Sequence, residues 1–382
     1  MKSIICLFWS LLIATPLIHA QEFESPQINP FSLTDEGIRT SPAFADIDLD
    51  NDLDLFTGLV SGDFGFYENI GSSNFISFSD LSVGPFNISA IGGNSTPFMV
   101  DLDNDGDFDL LAGGSNSGIW YYENVGNANV ASFTFPIANP YSITGPSGIT
   151  KPYMVDIDND DDLDLFMGST DGNTYFYENT GTIGTPVFAS SVTNPFGLIN
   201  VGERSAPSFA DIDNDGDYDA LIGARDGNLY YFENIGTTNN AVFDTMQSNP
   251  FNLQNVGDDA KPYFGDLDDD NDLDLMVGSA TGNYYYFENI TSATGIDRPT
   301  IENVSIYPNP SNGHITIQIG KIPEGDWDLV ITDVSGSVVQ RTSVLQVFEK
   351  IIVSKVYIGS GFFFAYLEGD AKKLFLGKMT IE

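Results

Sequence analysis

An aspartate-rich nonapeptide occurs five times in this chain of 382 residues, each copy beginning 55 residues after the last. The copies read DIDLDNDLD from Asp46, DLDNDGDFD from Asp101, DIDNDDDLD from Asp156, DIDNDGDYD from Asp211 and DLDDDNDLD from Asp266. A period this fixed describes one supersecondary unit that cannot bury its faces alone and must stack on its neighbours. Other residues keep the same phase. A proline stands four residues before each cluster (Pro42, Pro97, Pro152, Pro207, Pro262), and a glycine lies twelve after its first Asp (Gly58, Gly113, Gly168, Gly223, Gly278). An aromatic-Glu-Asn triplet follows, beginning at Tyr67, Tyr122, Tyr177, Phe232 and Phe287.

Each copy has room for four short strands divided by turn residues. The first runs into the cluster and the second leaves it. The third is the aromatic run, and the fourth starts at a phenylalanine (Phe23, Phe78, Phe133, Phe188, Phe243). The three positions before each triplet Glu are aromatic in 14 of 15 cases, with Gly65 the exception, so this strand lacks the alternation of a half-wet sheet. Coverage on both faces, as between the blades of a propeller, accounts for that. The first fourth-type strand, at Phe23, precedes any copy, and the fifth copy ends at Asn289 without one. The expectation is an all-β, five-bladed β-propeller closed by the N-terminal strand, which becomes the outer edge of blade five and removes a sticky sheet edge. An open stack of five units is the rival.

Residues 1–20 begin with Lys2, continue through an apolar stretch and end at Ala20, the pattern of a secretory signal peptide. Its apolar part is too short to span a bilayer comfortably, and no other segment is apolar enough for a membrane helix. The single cysteine, Cys6, lies inside it, so the mature chain has no disulfide and needs other staples, bound metal among them. The net charge is −40, and residues 21–295 hold 44 acidic against 5 basic side chains. Nucleic acid, which needs a basic footprint, is excluded as a partner.

Within each cluster, positions 1, 3, 5, 7 and 9 are Asp in all copies: Asp46, Asp48, Asp50, Asp52 and Asp54; Asp101, Asp103, Asp105, Asp107 and Asp109; Asp156, Asp158, Asp160, Asp162 and Asp164; Asp211, Asp213, Asp215, Asp217 and Asp219; Asp266, Asp268, Asp270, Asp272 and Asp274. Position 6 is Asn51, Gly106, Asp161, Gly216 or Asn271, residue types that tolerate the left-handed backbone a curled loop requires. Hard, charged oxygen donors suit Ca²⁺, whereas Zn²⁺ selects His and Cys. The alternative is that the aspartates only solubilise hairpin turns, which leaves the strict odd spacing unexplained. The loop is not an EF-hand, since no bidentate Glu stands at position 12.

Across residues 21–290 the array resembles the FG-GAP/VCBS repeat family, whose integrin-type loops read Asp-x-Asp-x-Asp-Gly-x-x-Asp. The resemblance implies five Ca²⁺ sites, with side chains at positions 1, 3, 5 and 9 and the carbonyl of position 7 as ligands. The non-Gly residues at position 6 of copies one, three and five depart from that pattern. Extracellular calcium modules bind at about 10⁻⁴–10⁻³ M. At ten times the dissociation constant each site adds about 1.4 kcal/mol, so five add roughly 7 kcal/mol.

A linker over residues 291–300 leads to residues 301–382, which pattern as a small Ig-like β-sandwich. The Tyr307-Pro308-Asn309-Pro310 entry, the Asp333 to Gly336 turn and the Gly361-Phe362-Phe363-Phe364 strand resemble a type IX secretion sorting domain of type A. That implies recognition by an outer-membrane translocon and a secreted or cell-surface, outer-membrane-associated protein of a Gram-negative bacterium. A plain accessory or carbohydrate-binding sandwich is the alternative.

The repeat region's five cations are Arg39, Lys151, Arg204, Arg225 and Lys261. By chain direction all fall on the face opposite the aspartate loops, where the variable connections lie and binding is usual. They are candidate contacts for a glycan or protein ligand, unless each only pairs with an acid such as Glu36, Glu203, Asp226 or Asp259. Trp120 is read as core, with a sugar-stacking platform as its alternative. The mature chain has one histidine, His314, outside the repeats, and no Cys or Ser/His pair within them, so no catalytic residue is assigned. The expectation is a monomeric binding or adhesion module. The competing reading is a polysaccharide lyase or hydrolase, or the non-catalytic partner of one.

Overall fold

The computed structural model describes residues 21–291 apart from 38, 72–75, 116–117, 128–129 and 271. Further on it describes residues 305–307, 311, 314–318, 327–333, 338–344, 350–354, 360–369 and 372–381. The expected signal segment 1–20 with Cys6, nearly all of the linker, Asn271, and the turns at 308–310, 312–313 and 334–337 lie outside the described residues. Contacts divide the chain into two units, one ending at Thr291 and the other beginning at Ser292.

Among its described residues the first unit is all-β apart from three single turns of 3₁₀ helix at Pro85–Asn87, Pro140–Ser142 and Pro195–Gly197. A short strand β1 (Gln27–Ile28) precedes β2 (Pro42–Ala45), β3 (Asp54–Gly58), β4 (Phe64–Tyr67) and β5 (Ser82–Val83), of which β2 to β5 form one antiparallel sheet. The pattern repeats in β6 (Thr96–Val100), β7 (Asp109–Gly113), β8 (Ile119–Tyr122) and β9 (Ile137–Ala138). It repeats again in β10 (Thr150–Val155), β11 (Asp164–Ser169), β12 (Thr174–Tyr177) and β13 (Val192–Thr193). The fourth sheet is β14 (Ala206–Ala210), β15 (Asp219–Gly223), β16 (Leu229–Phe232) and β17 (Gln247–Ser248). The fifth holds β18 (Lys261–Gly265), β19 (Asp274–Gly278) and β20 (Tyr284–Phe287), and its fourth strand is β1, with Gln27 opposite Tyr286.

The fourth strand of each sheet is shorter than its sequence run predicts. It consists of a two-residue pairing plus a separate bridge from the phenylalanine to the triplet asparagine, as in Asn69 with Phe78 and Asn289 with Phe23. An αL residue followed by Pro ends the run: Asn139 and Asn194 have φ of 49° ahead of Pro140 and Pro195. The aromatic strands are covered on both faces, and every residue of β4 is buried.

Each sheet's first strand packs beside the next one: β2 with β6, β6 with β10, β10 with β14, β14 with β18, and β18 with β2. The phased glycines sit at these junctions. A β-carbon on Gly278 would lie 2.6 Å from the Thr40 carbonyl oxygen, and on Gly58, Gly113, Gly168 and Gly223 it would meet Ser95, Thr150, Ser205 and Ala260 closer still. Only glycine lets the backbones approach this way. The fifth-to-first junction repeats the others, and Tyr284 Oη donates to Thr57 Oγ1 across it at 2.8 Å. Between the first strands, Phe98, Tyr153 and Tyr263 stack with centroids 4.8 to 6.2 Å apart and fill the middle.

The second unit pairs β21 (Ser305–Tyr307), β22 (His314–Gln318) and β25 (Lys350–Ser354) in one sheet. The other sheet runs in the order β24 (Val338–Val344), β23 (Trp327–Asp333), β26 (Gly361–Gly369) and β27 (Lys372–Ile381). Ile315 and Ile317 from the first sheet share a core with Leu329, Ile331, Phe363 and Leu367 from the second, which makes a sandwich.

Candidate functional site

The aspartate clusters form the turns between the first and second strands of each sheet. Each loop is shaped by its own backbone. In the first, the Asp50 and Asn51 amides donate to the two oxygens of Asp46, both at 3.1 Å, and the Asp52 amide donates to Asp50 at 3.2 Å. The second and third loops repeat these three bonds at the same lengths. Position 6 is left-handed as expected, at φ 70° in Asn51, 95° in Gly106, 72° in Asp161 and 99° in Gly216. Position 4 is left-handed too, at Leu49, Asn104, Asn159, Asn214 and Asp269. Sequence reasoning missed this, although Asn in three of the five copies was a signal.

The double reversal folds positions 1, 3 and 5 onto one point. In all five loops those three carboxylates bring an oxygen within 4.8 Å of one another: Asp46, Asp48 and Asp50; Asp101, Asp103 and Asp105; Asp156, Asp158 and Asp160; Asp211, Asp213 and Asp215; Asp266, Asp268 and Asp270. Position 7 adds a second observation. The Oδ1 of Asp52, Asp107, Asp162, Asp217 and Asp272 is buried without a hydrogen-bond partner in every loop. A buried carboxylate oxygen left unpaired is costly unless a cation completes it. Burial, then Asp50, pushes the Asp52 carboxyl up to about 7. Burial and then Asp274 push Asp272 up to about 8. The donor set is all oxygen and strongly anionic, which fits a hard divalent cation such as Ca²⁺.

Position 9 is bonded into the sheet. Each of these residues opens the second strand, and its Oδ1 accepts the amide of the triplet asparagine: Asp54 from Asn69, Asp109 from Asn124, Asp164 from Asn179, Asp219 from Asn234 and Asp274 from Asn289, at 2.7 to 2.9 Å. In three copies Oδ2 takes a tyrosine hydroxyl from the third strand, Tyr121 at 2.7 Å, Tyr231 at 3.1 Å and Tyr286 at 3.0 Å. In the third copy Phe176 stands in that place, and the buried Oδ2 of Asp164 has no partner. Position 9 thus ties the loop to the sheet. The triplet asparagine completes the knot: Asn124 Oδ1 accepts the Gly126 and Ser132 amides at 3.1 and 2.8 Å, while its Nδ2 donates to Phe108 O at 3.2 Å.

The cations are placed differently from the sequence expectation. Lys151 and Lys261 belong to strands β10 and β18 and are buried, not displayed on connecting loops. Arg39 Nε, Arg204 Nη1 and Lys261 Nζ converge on the Asp259 carboxylate at 3.6, 3.5 and 3.4 Å. Burial alone would raise Asp259, but Lys261, Arg204 and Arg39 outweigh it and hold the carboxyl below its ordinary value. Arg225 stands apart, exposed, and pairs with Glu203. Trp120 packs half-buried against a core cluster.

A family model for an FG-GAP-like repeat matches residues 101–167 and 156–222, and one for a secretion system C-terminal sorting domain matches residues 305–382. No curated protein matches the chain. Solved structures with a similar course include a fungal alcohol oxidase of the AA5 family in complex with copper, 9% identical over 95% of this chain and 100% of that one, at a TM-score of 0.35. Sqt1 of Saccharomyces cerevisiae is 9% identical over 95% of this chain and 89% of its own, at 0.33. The extracellular domain of a putative one-component system from B. thetaiotaomicron is 10% identical over 94% of this chain and 58% of that one, at 0.34. No helix among the described residues is long and apolar enough to cross a membrane. The chain carries FG-GAP-like repeats and ends in a secretion system C-terminal sorting domain, which indicates export by type IX secretion to the surface or the outside of a bacterium.

Proposed function

We propose that residues 21–291 form a closed five-bladed β-propeller whose aspartate loops each hold one Ca²⁺, and that this ring serves as a binding or adhesion module outside the cell. The observation that carries the reading is the unpartnered buried oxygen at position 7, beside three converging carboxylates, in all five loops. Positions 1, 3, 5 and 7 would hold the ion, and position 9 would anchor the loop. The ion's part is to neutralise a crowd of like charges, so it is a structural staple in a unit without cysteine. The sorting domain delivers the ring, and a glycan or protein ligand meets it on the face opposite the metal loops.

Calcium counted per chain in the purified protein, with thermal unfolding before and after chelation, tests the scaffold. A glycan array probed with and without calcium tests the role. Product release from polysaccharides in a lyase and hydrolase screen would instead favour an enzyme.

A further inference from the structure

The repeat register exposes a site that no motif announced. Positions 39, 94, 149, 204 and 259 are 55 residues apart and hold Arg39, Asn94, Ile149, Arg204 and Asp259. They stand just ahead of the first strands, so they ring one mouth of the propeller's middle. Two residues on, the next ring holds Ser41, Thr96, Lys151, Ala206 and Lys261. Three of the repeat region's five cations, Arg39, Arg204 and Lys261, therefore converge here on one carboxylate, and the buried Lys151 lies near enough to be influenced by Lys261 and Asp259, in a unit of strongly acidic composition.

The cluster is under-compensated. Lys151 is 4% exposed, and its ammonium, with three donors, makes a single 3.5 Å contact to the Pro262 carbonyl. The buried Nε of Arg204 has no partner. Burial, then Lys261, pulls the Lys151 ammonium down to about 7, against the pull of Asp259. Phe98, Tyr153 and Tyr263 pack against one another between the first strands. Arg39, Asn94, Ser95, Thr96, Ile149, Asp259 and Lys261 line a hollow of about 10 Å³, room for about one water-sized atom. It therefore admits a single charged oxygen of a ligand, whose remainder stays outside the mouth.

We propose that this mouth binds a single oxyanion, a carboxylate or sulfate ester, presented by an acidic saccharide. Arg39 and Lys261 line the hollow, Arg204 and Lys151 add charge beside it, and Asn94, whose Nδ2 donates to Ser115 Oγ, keeps a second amide hydrogen for the ligand. The rim's one apolar member, Ile149, gives no anchor of the kind peptide ligands use. Asp259 keeps the cations apart from bulk anions and competes with the ligand. The proposal deepens the binding-module reading and rests on it.

The test is calorimetric titration of the calcium-loaded full chain with galacturonate, galactose 6-sulfate, sodium acetate and neutral galactose. Both acidic sugars bind, galactose does not, and acetate binds more weakly because it reaches only the cations. Lys151→Met replaces a buried ammonium by an apolar side chain of similar length. It melts no lower than the native protein, yet loses acidic-sugar binding by about tenfold or more, the loss expected from removing one nearby charge. Asp259→Asn, where it folds, tightens binding. Equal binding of galactose and galacturonate, acetate binding as tightly as galacturonate, no binding of either acidic sugar, or unchanged affinity in Lys151→Met overturns the proposal. Array binding that survives Lys151→Met sinks this site while leaving the module reading intact. Failure of the calcium-dependent scaffold sinks the module reading itself.

Discussion

Replacing Gly278 by alanine probes the junction that separates a ring from an open stack. A β-carbon there would sit 2.6 Å from Thr40 O, 2.7 Å from Pro42 Cδ and 2.9 Å from Thr40 C, all backbone or ring atoms that cannot swing aside. Relief to an ordinary contact near 3.5 Å needs the fifth and first sheets to separate by about 1 Å, an overpacking that costs about 1–3 kcal/mol. If nothing abutted Gly278, alanine would instead stabilise by about 0.4–1 kcal/mol through the unfolded chain. The two architectures thus predict opposite signs. With 1 kcal/mol moving the midpoint by about 2–4 °C in a domain of this order, the ring predicts a drop of roughly 2–12 °C for Gly278→Ala in millimolar calcium. Gly168→Ala, at an internal junction, should fall alike. Gly265→Ala, whose nearest neighbour would be Leu267 Cδ2 at 3.4 Å, should change little. Circular dichroism melts of the three variants decide the matter. A Gly278→Ala protein melting at or above the native one, beside a lowered Gly168→Ala, would refute the closed ring.

Further outcomes follow from the loops. Asn179→Ala removes the acceptor of the Gly181 and Val187 amides and the donor to Leu163 O, and should cost about 2–4 kcal/mol by denaturant titration. Phe176→Tyr would supply Asp164 Oδ2 with the hydroxyl that Tyr121 and Tyr231 give their counterparts, and should stabilise by about 1 kcal/mol; an unchanged or lower midpoint would count against that pairing. In chelator, burial raises Asp109 to about 6, Asp164 and Asp219 to about 7 and Asp54 and Asp274 to about 8, from 3.8. The folded state then holds more protons than the unfolded chain between about pH 4 and 8, so metal-free stability falls as pH rises through that window. The calcium increment should grow over the same range, because bound metal requires ionised carboxylates and burial also raises position 7, Asp162 and Asp217 to about 6, Asp52 to about 7 and Asp272 to about 8. Melts from pH 5 to 8 check both slopes, and a chelated protein steadier at pH 8 than at pH 5 contradicts the assignment.

The parts legible in the sequence are those that repeat by identity. The aspartates, the phased glycines and the aromatic triplets recur in every copy, so strand order, loop position and the orphan first strand could be read before any coordinate. What escaped reading recurs by position only. Arg39, Asn94, Ile149, Arg204 and Asp259 share a register but no chemistry, so a comparison of copies passes over the cation cluster. Lys151 and Lys261 were placed in connections because Pro152 and Pro262 appeared to open the strands, whereas pairing starts at Thr150 and Lys261. Position 9 is a ligand by the family resemblance alone, and its place in the sheet is not readable from its being one more Asp. Only the hydrogen bonds from Asn69 and its equivalents reveal its use inside the sheet. In the second unit, β24 and β25 were not placed from the sequence, since Val338–Val344 mixes apolar and polar residues without clear alternation.

The proposed ring depends most on cations holding five acidic turns together. The direct measurement is a thermal melt of the purified chain, stripped by chelator and then titrated with calcium, alongside a count of calcium per molecule. Five ions per chain and a midpoint that climbs with calcium, by a free energy of roughly 7 kcal/mol near ten times the dissociation constant, are the predicted result. A stripped protein that melts where the loaded one does, or that takes up no calcium, would contradict it.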